Sequence, residues 1–155
     1  MIIEQNSTEI RGILNEIKAK LIDNSSPMLS FIGERVVLPS IKKNFEEEGR
    51  PTKWVELAPW TQRERVSQGY GPAHPILQRS GELMRMATVK DNLLWQENKN
   101  ELKIICVVED KWKLHFGEGR LPARPFFMLQ KEDEGAASKE AGVYVAKELQ
   151  RIVKG

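Results

Sequence analysis

The stretch ILQRSGELMRMATVKDNLLWQENKNELKIICVV, residues 76–108, decides between an all-helical chain and a mixed one. Ile76, Leu77 and Leu83 predict a short helical turn around Ser80-Gly81. Thr88 to Glu97 and Leu102 to Val108 then read as two strands, with Asn98-Lys99-Asn100 as the hairpin connection. Leu102, Ile104, Cys106 and Val108 fall on one face of the second strand and Ile105 and Val107 on the other, which predicts cover on both sides.

Working outward toward the N-terminus, Ile10, Leu14, Ile17 and Leu21 place an apolar stripe on a helix whose plausible N-cap is Ser7 or Thr8. A polar break at Asp23 to Pro27 follows, and a second pattern runs through Met28, Ile32, Val36, Ile41 and Phe45. Two helices joined this way predict an antiparallel hairpin over residues 1–49. Pro39 lies inside the second pattern and is expected to kink or divide it near Val37 and Leu38, because proline lacks the N–H that the helix needs. Residues 50–75 lose all periodicity except for a short helix expected at Thr61 to Gln68. A connection of that length inside a compact domain is usually functional or mobile.

On the other side, Phe126 to Lys131 reads as a third strand. Ala137, Ala141, Val145, Leu149 and Ile152 mark a C-terminal amphipathic helix, capped or frayed at Gly155. The expected fold class is α+β: an N-terminal helical hairpin and a C-terminal helix packed on a small, mostly antiparallel sheet with long loops. A chain of 155 residues fits a single domain, with residues 76–155 supplying the sheet and last helix.

Composition narrows the function classes. With 24 Lys and Arg against 22 Asp and Glu, the formal charge of +2 produces no field that by itself attracts nucleic acid or an anionic membrane. No apolar run approaches the roughly 20 residues needed to span a bilayer. Glu4 and Glu9 near the start do not resemble a secretory signal, so a cytoplasmic location is expected. The single Cys106 suits a reducing compartment and reads as a small core hydrophobe.

No arrangement of residues passes a spacing test for catalysis. His74, His115 and Cys106 do not form a zinc-ligand spacing, and neither a metal nor a cofactor is expected. Gly69-Tyr70-Gly71 and Gly117-Glu118-Gly119 lack the third glycine of a dinucleotide fingerprint. Glu132-Asp133-Glu134 fits the positive end of the following helix dipole better than a cation site. His115 reads as structural, since no nucleophile is evident for it to serve. The Trp/Arg-rich segment 53–65, with Trp60, Arg63 and Arg65, offers an alternative function as a small nucleic-acid-binding module. The competing reading is that its tryptophans pin the connection to the core and its charges face solvent.

The stretch HFGEGRLPARPFFML, residues 115–129, is the most constrained part of the chain. Both residues that precede Pro122 and Pro125 are pushed away from helical backbone, so Arg124 is presented in a defined place to a carboxylate or a row of carbonyls. It is either an internal strut or an intersubunit contact.

The order Leu77, Ser80, Gly81, Leu83, then His115-Phe116-Gly117, then Pro122-Ala123-Arg124-Pro125-Phe126, then an acidic turn and an amphipathic helix, resembles the phage virion morphogenesis family of tail-completion proteins in Mu-like phages and prophages. The resemblance covers about Trp54 to the C-terminus. The chain departs from the pattern at Trp112-Lys113-Leu114 and Val107-Val108-Glu109, and no residue separates His115 from Phe116. The resemblance implies a non-enzymatic assembly factor at the head-proximal end of the tail, acting in the bacterial cytoplasm and in the virion. Its implied partners are its own copies in a ring-like oligomer, the tail tube or tail terminator, and head–tail connector proteins. Trp60, Arg63, Arg65, His115 and Arg124 are the candidate interface residues, and Arg124→Ala is expected to leave a folded monomer that assembles poorly.

Overall fold

The computed structural model describes residues 11–12, 14–19, 23, 25–71 and 75–154. The expected N-cap at Ser7 or Thr8, the stripe positions Ile10 and Leu21, and Pro72, His74 and Gly155 lie outside the described residues. Residues 14–17 are helical, with Leu14 exposed and Ile17 half-buried. Of the polar break expected at Asp23 to Pro27, Asn24 lies outside the described residues, and Ser26 and Pro27 already open the next helix.

A long helical run follows: α1 (Ser26–Ile32), a π turn (Gly33–Val37) and α2 (Leu38–Glu46). The π turn is the response to Pro39. Its ring excludes the carbonyl four residues back, and widening the preceding turn lets Leu38 N–H reach the Gly33 carbonyl instead. The expected division near Val37 and Leu38 therefore takes the form of a widened turn. Gly33 sits where a Cβ would stand 2.8 Å from the Trp95 ring.

The shorter elements are α3 (Pro59–Ser67), α4 (Glu82–Thr88), β1 (Leu93–Asn98), β2 (Glu101–Cys106) and α5 (Trp112–Phe116), before the final helix α6 (Lys131–Lys154). The two strands pair antiparallel from Leu93↔Cys106 to Asn98↔Glu101. Helix therefore continues to Thr88 where strand was expected; the first strand starts only at Leu93 and runs to Asn98, and the second ends at Cys106, short of the expected Val108. The hairpin is tied to the start of α1: Ser25 and Ser26 N–H donate to the Lys99 carbonyl at 3.0 and 3.2 Å. Ser26 and Ser30 hydroxyls donate to the Glu97 carboxylate.

Two expectations about the sheet are corrected. Cover exists on one face only, for Ile105 and Val107 are 37% and 51% exposed while Leu102, Ile104 and Cys106 are half-buried. There is also no third strand at Phe126 to Lys131: Phe126–Gln130 is irregular and Lys131 already begins α6. The backbone there is satisfied by side chains rather than by a neighbouring strand. Phe126 and Phe127 N–H donate to His115 Nδ1, and the Phe126 and Met128 carbonyls accept from Asn44 Nδ2.

The core lies where α2, α4 and the connections meet, with Ile41, Phe45, Trp54, Leu83, Ala87 and Phe126 buried together. Phe45 is its centre, touching Trp54 edge-on at 5.8 Å and Phe126 at 5.5 Å. The C-terminal helix packs against α1 and the π turn, and its expected stripe from Ala137 to Ile152 is the less exposed side.

Candidate functional site

The glycine-rich loop after α5 is built by close approaches. Gly117 has φ +79, and a Cβ on it would lie 2.9 Å from the Ala123 nitrogen and the Leu121 carbonyl oxygen, so no other residue fits. Glu118 and Leu121 exchange backbone hydrogen bonds at 3.1 and 2.9 Å, closing a tight turn in which Gly119 has φ +58. Arg124 N–H then donates to the Leu114 carbonyl at 2.8 Å, returning the chain to α5.

His115 holds the other side of this loop. Its Nδ1 accepts from the two phenylalanine amides, and its ring stands edge-on to Phe126 at 5.0 Å. Burial pushes its pKa below the ordinary value. A neutral ring whose Nδ1 serves two amides is a structural histidine, and it lies apart from the groove described below.

Arg124 is 4% exposed, and it spans from the loop to the 50–75 connection. Nε and Nη2 donate to the Val55 carbonyl at 3.0 and 2.9 Å, and Nη2 also reaches Glu56 O at 3.3 Å. Of the two readings, the row of carbonyls is the one present, and it gives Arg124 the work of an internal strut. This geometry adds a stability cost to the expected effect of replacing it.

The connection itself is stapled down rather than loose. Trp54 is buried and its indole N–H donates to the Pro125 carbonyl at 3.3 Å. Pro59 opens α3 at a position where its missing N–H costs nothing, and Gly69 closes it with φ +86 while Tyr70 N–H returns to the Arg65 carbonyl. Trp60, in contrast, is 64% exposed, and Arg63 faces solvent. Arg65 is buried and donates to the Pro75 carbonyl at 3.0 Å. The expected surface trio is thus split, with one member turned inward.

These segments converge on one groove of about 1070 Å³. One wall comes from Val55 to Arg65, including Trp60; the facing walls come from Leu77 to Leu83 and from Lys111 to Arg124. Leu77, Ser80, Leu83, Pro122 and Arg124 of the sequence motif all line it, although they are far apart in the chain. Other motif residues serve elsewhere. Gly81 starts α4 with φ +69, Phe116 is 71% exposed outside the groove, and Ala123 and Pro125 belong to the loop backbone around Arg124.

A buried polar network escaped the sequence reading. Asn44, wholly buried, donates to Phe126 O and Met128 O and accepts from Arg50 Nε at 3.0 Å. Arg50 also pairs with Glu132 at 2.6 Å and donates to the Ser40 carbonyl and hydroxyl, both at 2.7 Å. Asp133 completes it, accepting from the Ser40 hydroxyl and from Gln130 N–H, the latter a capping contact at the start of α6. The acidic turn therefore does more than meet the helix dipole: it joins α6 to α2. The signal was present, because Ser40 and Asn44 lie four residues apart beside the apolar Val37, Ile41 and Phe45, where polar residues are buried only when bonded.

Among the described residues no three His, Cys, Asp or Glu gather to hold a metal ion, and no helix is long and apolar enough to cross a membrane. Comparisons with protein-family models, with curated proteins and with solved structures returned no match.

Proposed function

We propose that this chain is a non-enzymatic virion assembly protein that completes a phage tail at its head-proximal end and supports joining to the head, working as a ring-like homo-oligomer. The observation that carries the reading is the groove. Motif residues as far apart in the chain as Leu77 and Pro122 meet on one concave surface beside an aromatic side chain, Trp60, that the fold leaves exposed. Ring closure needs two different complementary faces on each copy rather than a reaction centre, and a groove lined in part by an exposed aromatic suits one of them. Its partners under this reading are its own copies, the tail tube or terminator, and the head–tail connector; the cytoplasm of a bacterial host and the virion are its locations.

The nucleic-acid alternative is weaker on the same geometry, since Arg65 is buried on a carbonyl and leaves only Trp60 and Arg63 of that trio at the surface. The test is molar mass by light scattering over a concentration series at low and high salt, with Trp60→Ala in parallel. A discrete concentration-dependent oligomer that Trp60→Ala weakens supports the proposal. A strict monomer, together with oligonucleotide binding that falls steeply with salt, would replace it with the alternative.

A further inference from the structure

The groove carries charge that the fold does not neutralise. Arg124 makes its hydrogen bonds to carbonyl oxygens and none to a carboxylate. Arg79 and Arg120 also line the groove, both exposed, and among the described residues neither has an ion-pair partner. Arg65 stands close enough that each guanidinium disfavours the next: after burial, Arg79 is the largest influence lowering the pKa of Arg65, and Arg65 acts in the same sense on Arg124. Lys111 is already paired with Glu82 at 3.1 Å. The remaining acids of the lining are Glu56 and Glu64, both exposed.

Between the charged groups the walls are aliphatic, with Val55, Leu57, Leu77, Leu114 and Leu121 among them. We infer that the groove is a docking site for an extended protein segment carrying carboxylates separated by apolar side chains, its carboxylates meeting the exposed Arg79 and Arg120 and its apolar side chains packing beside Trp60. Charge complementarity favours an acidic occupant over a basic one. The aliphatic walls, Trp60 as the one aromatic among the described lining residues, and the carboxylates of Glu56 and Glu64 favour a peptide over a nucleic acid, which needs a continuous basic track with several stacking rings. This deepens the assembly reading and rests on it for the partner being a virion protein, while the chemistry of the groove is tested without it.

The test is fluorescence anisotropy of a labelled eight-residue probe of alternating leucine and aspartate, against a leucine–lysine probe and a thymidine oligonucleotide of equal length. It is run on the full chain at the lowest concentration of the scattering series. The acidic probe is expected to bind and the basic one not. The double variant R79E/R120E, altered only at exposed positions and checked for folding by circular dichroism, is expected to bind the acidic probe about tenfold or more weakly. Equal binding of both peptides, tighter binding of the oligonucleotide, no binding of the acidic probe, or undiminished binding by a folded double variant would each overturn the inference. A monomer that binds the acidic probe keeps it while removing the ring. An oligomer in which R79E/R120E leaves probe binding unchanged removes it while keeping the ring.

Discussion

Arg124→Ala is the perturbation that best tests the strut. The substitution removes three donor contacts, two to the Val55 carbonyl and one to Glu56, from a side chain that is 4% exposed. Hydrogen bonds to a charged group contribute about 1.5–3 kcal/mol each. Against this stands the desolvation cost that the folded state no longer bears once the guanidinium is gone. Because two of the three contacts share one acceptor, the net loss is about 2–4 kcal/mol, out of a total stability of roughly 5–15 kcal/mol for a domain. At this chain length each kcal/mol shifts the midpoint by about 2–4 °C, so thermal unfolding should begin roughly 9 °C lower.

The assay is urea and thermal unfolding followed by circular dichroism, with fluorescence of the four tryptophans as a second probe, among them Trp54, whose indole bonds to the neighbouring Pro125 carbonyl. Arg124→Lys should recover less than half of the loss, since one ammonium cannot reproduce a planar fork addressing two carbonyls. A loss below about 0.5 kcal/mol for Arg124→Ala, the level of an ordinary surface change, would refute the strut. Intact stability with defective assembly would move Arg124 to an interface.

His115 makes stability depend on pH. Its folded pKa is lowered by burial from the ordinary 6.5, so the unfolded chain binds the proton first and acid favours unfolding. The contribution is whole above the ordinary value and is lost as pH falls through the folded one; urea midpoints should drop between pH 7 and 5.5 in the native chain and stay level in His115→Asn, and a level native profile would contradict the assignment. Gly117→Ala should cost at least about 2 kcal/mol, because the backbone sits at φ 79 and ψ 154 and the new methyl meets backbone atoms 2.9 Å away. Gly119→Ala, with φ +58 and nothing within 4 Å, should cost about 1 kcal/mol, and equal midpoints for the two variants would show that the close approach is unimportant.

The α+β class, a short helix at Thr61 to Gln68 that in the structure runs from Pro59 to Ser67, the antiparallel hairpin turning near Asn98-Lys99-Asn100 and the inner stripe of α6 were legible in the sequence, because each follows from local periodicity or from turn residues. It also singled out Arg124 and its carbonyl-row option from the flanking prolines alone. The rest depended on which segments folding brought together. Phe126 to Lys131 has the composition of a strand, yet no neighbouring strand pairs with it, and its backbone is satisfied instead by the side chains of His115, in the short helix just before it, and of Asn44, 82 residues before Phe126. The fate of Trp54 and Trp60 was equally open, since two tryptophans in one connection look alike until Phe45 claims the first as a core partner and nothing claims the second. The groove was invisible for the same reason. It exists only where three separate segments meet, and their distance in sequence holds no signal of their proximity in space.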